Sequence, residues 1–214
     1  MEFMLKIKEK TNLLHSAAEH SGYIKRLVDG SGTKKGYGEY IFNLHAIYKA
    51  IEEGLEANKN HEVIKEFVTP ELYKAELIQQ DIAYILDEEQ EKLQLLSSTK
   101  ACVARIHEIS KNSPELVVAY AYTRFLADLF GGRLFYELLE SKYGIAKEGL
   151  NYYKCELGDL KAYVIQYHNK LANAKLIQEQ QDIFINEINN AYIYNIAVSV
   201  ELEMKLAHTQ RSHH

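Results

Sequence analysis

Apolar positions along this chain recur at the three- and four-residue spacing of helices, and no segment sustains the alternation of β-branched and polar residues that a strand needs. The clearest run extends from Pro114 to about Lys142. Leu116, Val117, Ala121, Phe125, Leu129, Leu134 and Leu138 follow helical spacing there, with Pro114 at the entrance, where a missing N–H costs nothing. Gly144 reads as its C-terminal stop. Other helices are predicted over about Lys6 to His20, Thr33 to Ala57, Thr69 to Leu86, Glu88 to Ser110, Gly158 to Ala174 and Leu176 to Ala207. Thr69-Pro70-Glu71 supplies N-cap and first-turn chemistry to the third of these, and Ser97-Ser98-Thr99 is a candidate break in the fourth. The glycine-bearing stretch after His20 and the tyrosine-rich segment from Gly149 to Gly158 read as loops. The expectation is an all-α fold in one domain, residues 1–210, without internal repeats or a linker.

One helix breaks its own rule. Gly131 and Gly132 lie inside the Pro114–Lys142 run, and each interior glycine costs about 1 kcal/mol relative to Ala. Such a pair is tolerated where a backbone bends or where something flat approaches closer than a Cβ allows. Arg124, Asp128 and the two glycines share one face at i, i+4 and i+7/i+8. That face reads as one side of a ligand slot. Two bland alternatives stand beside it: Ala127 and Gly131 form a small-xxx-small spacing suited to helix packing, and Arg124 with Asp128 form an ordinary surface pair.

Composition narrows the class. The 214 residues include 25 Lys and Arg against 30 Asp and Glu, so the formal net charge of −5 gives no basic footprint for nucleic acid. No uncharged apolar run reaches bilayer-spanning length, and the N-terminus does not read as a secretory signal, so a cytoplasmic protein is expected. Cys102 and Cys155 fit no CxxC or zinc spacing and are expected reduced. There is no HExxH and no Glu-x-x-His for a di-iron bundle. The terminal residues 211–214 resemble the start of an expression tag.

The other side of a slot lies near the N-terminus, in Leu13-Leu-His15-Ser-Ala-Ala-Glu19. Small residues beside His15 leave room for a broad planar ligand. A neutral imidazole ligates iron well, and Glu19, one turn on, can fix its other ring nitrogen. His15-x-x-x-Glu19 followed by Tyr122-Thr-Arg-Phe-Leu-Ala-Asp-Leu-Phe-Gly-Gly132 resembles the heme oxygenase family, whose distal signature runs Tyr-Thr-Arg-Tyr-Leu-Gly-Asp-Leu-Ser-Gly-Gly. Further similarity runs through His45–Glu53, Pro70–Leu72 with Gln80–Ala83, and Ala191–Ile196, so it covers roughly residues 5 to 205.

The resemblance implies a helical fold with heme b sandwiched between a proximal and a kinked distal helix. It implies oxidative opening of heme to biliverdin, CO and ferrous iron, using O2 and electrons from a donor such as a ferredoxin, a flavodoxin or a flavin reductase. By the same resemblance His15 is the iron ligand and Glu19 its partner. Asp128 anchors distal water, with Arg124 and Tyr48 holding its hydrogen bonds. Gly131 and Gly132 lie against the porphyrin, Lys8 and Lys161 meet the propionates, and Tyr122, Thr123, Ala127, Tyr192 and Asn195 border the pocket. Three positions depart from the family pattern: Ala127 replaces a glycine, Phe130 a serine, and Ile165 a second basic residue. The first two leave open a heme-storage, transfer or sensing protein with little turnover. A non-heme enzyme of the same fold is the other alternative.

Overall fold

The computed structural model describes residues 2–211. Eight α-helices account for most of them: α1 (Glu2–Glu19), α2 (Gly22–Val28), α3 (Lys34–Ala57), α4 (Ala75–Leu86), α5 (Ser97–Asn112), α6 (Val117–Tyr143), α7 (Leu160–Ala172) and α8 (Gln178–Arg211). Among the described residues there is no strand, which bears out the all-α expectation. Of the expected tag remnant, Arg211 closes α8 and residues 212–214 lie outside the described residues. No helix among the described residues is long and apolar enough to cross a membrane. Cys102 is buried and Cys155 exposed, both free.

The core is built from side chains of every helix. Ile41, Tyr48 and Ile51 of α3, Val118 and Ala121 of α6, and Phe184 and Ile188 of α8 are all without solvent exposure in it. Helix α6 runs unbroken through Gly131 and Gly132 and ends where Gly144 adopts φ 61°, the left-handed stop its sequence predicts. Helix α3 starts as expected, with the Thr33 hydroxyl accepting from the Gly36 amide at 3.0 Å.

Several starts differ from the sequence expectation, and tertiary contacts explain them. The stretch after His20 holds a seven-residue helix, α2, where a loop is predicted. Its isolated sequence is too short to be stable, but it is docked on α8: the Ile24 amide donates to Ser199 Oγ at 3.0 Å, and Ser199 donates on to the Ser21 carbonyl at 2.9 Å. Pro70 opens only a 3-10 turn, Pro70–Leu72, and Thr69 makes no side-chain cap. Helix α4 begins later because Glu52 on α3 caps it, accepting from the Lys74 and Ala75 amides at 2.6 and 2.9 Å. The segment predicted to be helical from Glu88 is a 3-10 turn over Asp87–Lys92, and α5 begins at the serines. There Glu201 of α8 accepts from the Ser97 and Ser98 amides at 3.0 and 2.8 Å and from Ser98 Oγ at 2.5 Å.

A carboxylate that caps from another helix ties two elements at once. Burial pushes the Glu201 carboxyl up, but the Ser97 and Ser98 bonds outweigh it and hold it below the ordinary range. Glu201→Ala is therefore expected to lower unfolding free energy by about 1–2 kcal/mol, the scale of a lost N-cap. Denaturant unfolding checks this; a change below about 0.3 kcal/mol would show that the cap is replaced by water.

Candidate functional site

A cleft of about 410 Å³ opens between α1, α6 and α8 and is walled on one side by the 152–153 turn. That volume lies in the ordinary range for cofactor and small-molecule sites, about 300–1,000 Å³. From α1 it is lined by His15, Ala18 and Glu19; from α6 by Thr123, Arg124, Ala127, Asp128, Phe130, Gly131 and Gly132. Tyr192 and Asn195 come from α8, which places one and not both of the α8 tyrosines 192 and 194 on the cleft. Segments more than 100 residues apart in sequence thus share one wall.

The glycine pair faces the cleft and its aromatic lining rather than another helix. A Cβ built on Gly131 would meet only Phe135 of the same helix, at 3.7 Å, and one on Gly132 only Tyr153, at 3.5 Å. Ala127 is exposed. Close helix packing therefore does not explain the small residues, and the bare backbone is a cleft surface. The geometry leads to a split expectation for Gly131→Ala. Helix stability should rise by up to about 1 kcal/mol, because the φ is helical and the new methyl makes only ordinary contacts. Ligand affinity should fall, because that methyl enters the cleft, where overpacking costs about 1–3 kcal/mol, or roughly 5- to 150-fold. Thermal unfolding and a hemin titration measure the two; unchanged affinity would mean that the ligand does not lie on this face.

The polar end of the cleft is a closed cluster. The carboxylate of Asp128 accepts from Tyr48 Oη at 2.5 Å on one oxygen and from Tyr152 Oη at 2.7 Å on the other. The two hydroxyls lie 2.9 Å apart. Arg124 donates from Nε to Tyr48 Oη at 3.2 Å and from Nη2 to Tyr152 Oη at 3.1 Å, with its guanidinium 5.2 Å from the Tyr48 ring centre. Arg124 and Asp128 are thus not the ordinary surface ion pair of the bland alternative: their contact runs through two phenols. Burial raises the Asp128 carboxyl above the ordinary aspartate value, with Arg124 and the two hydroxyls pulling the other way. Burial likewise holds both phenols well above their usual range, so they remain donors. A carboxylate with raised proton affinity, beside fixed donors, can hold and relay protons at the cleft.

On the α1 side, His15 Nε2 lies 3.3 Å from Glu19 Oε1, and its ring centre is 5.3 Å from that of Tyr192. Glu19 is therefore in place to orient the imidazole. Among the described residues no group of three or more His, Cys, Asp or Glu side chains is placed to hold a metal ion.

Not every expected residue reaches the cleft. Tyr48 is fully buried behind Asp128, where its hydroxyl holds the carboxylate as the resemblance implies. Tyr122 is turned toward α7, its ring 6.1 Å from His168. Thr123 lines the cleft but donates its hydroxyl to the Tyr120 carbonyl at 2.9 Å. Lys8 and Lys161 are exposed, off the cleft wall, and among the described residues neither is in an ion pair. In the other direction, Ile24, Tyr40, Leu134, Phe135, Tyr152 and Tyr153 line the cleft although no sequence motif singles them out.

A heme oxygenase family model matches residues 1–201. This chain belongs to the heme oxygenase family. Heme oxygenase of Porphyra purpurea is 32% identical over 203 residues, covering 94% of this chain and 86% of that protein. Heme oxygenase 1 of Synechocystis sp. is 27% identical over 202 residues, covering 94% and 84%. The crystal structure of heme oxygenase-1 from Synechocystis in complex with heme superposes with a TM-score of 0.90 at 26% identity, covering 98% of this chain and 96% of that one. Heme oxygenase from Leptospira interrogans superposes with a TM-score of 0.87, also at 26% identity, covering 94% and 100%. The fold of a heme oxygenase thus extends over nearly the whole chain.

Proposed function

We propose that this heme oxygenase family member binds heme b as its substrate in the cleft and opens it, with O2 and electrons, to biliverdin, CO and ferrous iron. The observation that carries the reading is the Asp128 cluster: a carboxylate fixed by Tyr48, Tyr152 and Arg124 beside a bare glycine backbone, in the same cleft as His15. Bound heme supplies the iron at which O2 is reduced and the ring carbon that is oxidised.

The protein's part is binding, orientation and proton supply. His15 would present one ring nitrogen to the iron, with Glu19 holding the other, a second contact that would fix ring orientation and ligand basicity. A histidine, unlike a thiolate, does not push strongly for early O–O cleavage. The bare backbone at Gly131 and Gly132 lets the flat ring approach α6 more closely than a side chain would permit. Asp128 would order water in the cleft and relay protons through it, while Arg124 holds the cluster's charge in balance through the two phenols. Ala127 adds a methyl group on this wall, which bears on how much water fits. Lys8 and Lys161, exposed and in no ion pair among the described residues, would draw the propionates and an acidic electron donor such as a ferredoxin or flavodoxin by longer-range attraction from outside the cleft wall; a flavin reductase would serve the same donor role. Two unpaired cysteines accord with a cytoplasmic site of action.

Titration with hemin tests the binding half of this reading. A one-to-one complex with an intense Soret band is expected. Absence of any saturable complex would remove heme as the ligand of this cleft.

A further inference from the structure

Tyr152 comes from a stretch with no helical periodicity, yet its hydroxyl sits on Asp128 with hydrogen-bond geometry as good as that of Tyr48, which a long helix delivers. Something must fix the 151–152 peptide. The candidate is Asp81, on α4, a residue with no solvent exposure and no contact with the cleft. One of its oxygens accepts from the Asn151 amide and from Asn151 Nδ2, both at 2.8 Å, and the other accepts from the Tyr152 amide at 2.8 Å. The turn is clamped further on: Lys74, at the start of α4, donates to the Lys154 carbonyl at 2.7 Å, and Lys154 donates to Asn151 Oδ1 at 2.6 Å. Burying a carboxylate is expensive unless its lone pairs are met, and three donors meet them here. The sequence thus commits a buried carboxylate to two consecutive backbone amides, those that lead into and aim Tyr152.

We propose that Asp81 is a positioning residue for the reaction: by holding the 151–152 backbone against α4, it sets the Tyr152 hydroxyl on Asp128 and so tunes proton delivery in the cleft without touching substrate. The inference rests on the reading of the cleft as the heme site. It assigns different consequences to the two tyrosines of the cluster. Tyr48 is placed by α3 and is indifferent to Asp81; Tyr152 depends on it.

Two measurements separate this proposal from the reading beneath it. The first needs no heme. In the ligand-free chain labelled with 13Cζ-tyrosine, Asp81→Asn should move the Tyr152 resonance, assigned by its absence in Tyr152→Phe, and leave that of Tyr48 in place. The second uses the ferric hemin complex. Asp81→Asn should bind hemin within about threefold of the parent, shift the midpoint pH of the acid–alkaline transition in the same direction as Tyr152→Phe, and lower biliverdin formation by roughly 10- to 100-fold, the usual effect of losing an outer orienting partner. Adding Asp81→Asn to Tyr152→Phe should change the midpoint and the rate by less than about twofold more, because both act through one hydroxyl. Should Asp81→Asn fail to fold, Asn151→Ala keeps both backbone bonds and should give smaller shifts of the same sign. The proposal is overturned if the Tyr152 resonance and the transition stay where they are, or if the two substitutions multiply as independent losses. A parent chain that makes no biliverdin, while Tyr152 still answers to Asp81 in the resonance experiment, would overturn the heme reading and leave the positioning role standing.

Discussion

Asp128→Ala is expected to cut biliverdin formation by about a hundredfold or more, the scale of a lost proton-delivery group, while hemin still binds. Two phenols donate to this carboxylate and a buried guanidinium balances it, so its removal leaves three polar groups without their acceptor or counter-charge. Stability should fall as well, by about 1–3 kcal/mol. Asp128→Asn separates the two effects. It retains an acceptor oxygen and should recover most of the stability, but it carries no charge and should not recover the rate. Because burial raises the Asp128 carboxyl above the ordinary aspartate value, the parent's rate should fall on acidification at a higher pH than a solvated aspartate would give. That acid limb should vanish in Asp128→Asn. Full biliverdin yield in either variant would reduce Asp128 to a structural partner of Arg124.

His15→Ala is expected to have the larger effect on binding. If the iron–imidazole bond is worth about 3 kcal/mol net, its loss weakens hemin binding roughly a hundredfold. The fold should be unaffected, since His15 is an exposed residue whose polar contact is Glu19 of the next turn. Exogenous imidazole should restore part of the ferric spectrum and part of the turnover by occupying the space the side chain leaves. Absorption titrations with and without imidazole check this. An unchanged spectrum and rate in His15→Ala would assign the iron to another ligand.

The sequence makes legible what local pattern determines. Helix α6, its glycine pair and its stop at Gly144 follow from spacing and from the chemistry of Pro and Gly. His15, Glu19, Asp128 and the two glycines lie at helical spacings within two segments, so their shared faces follow from residue spacing alone. The residues that escape such reasoning are those placed by partners distant in sequence. Helix α2 exists because Ser199 anchors it, and α4 and α5 begin where Glu52 and Glu201 cap them from other helices. No propensity within α2 or α4 marks the starting residue, whereas the serine break at Ser97-Ser98-Thr99 does mark where α5 begins. Tyr152 and Tyr153 sit in a turn whose conformation is fixed by Asp81, some 70 residues earlier. In sequence they read only as two of sixteen tyrosines. Tyr122 misses the cleft for the converse reason: it is adjacent to the right helix face, but helical rotation turns it onto α7.

The central claim is that a cleft shared by His15 and Asp128 opens heme. It is tested most directly by loading the chain with one equivalent of hemin without oxygen, adding reductant and catalase, admitting O2, and separating the products by chromatography. The account predicts near-stoichiometric biliverdin with release of CO and ferrous iron, and almost none from Asp128→Ala or His15→Ala under the same conditions. Recovery of the hemin ring intact from the parent chain would contradict it.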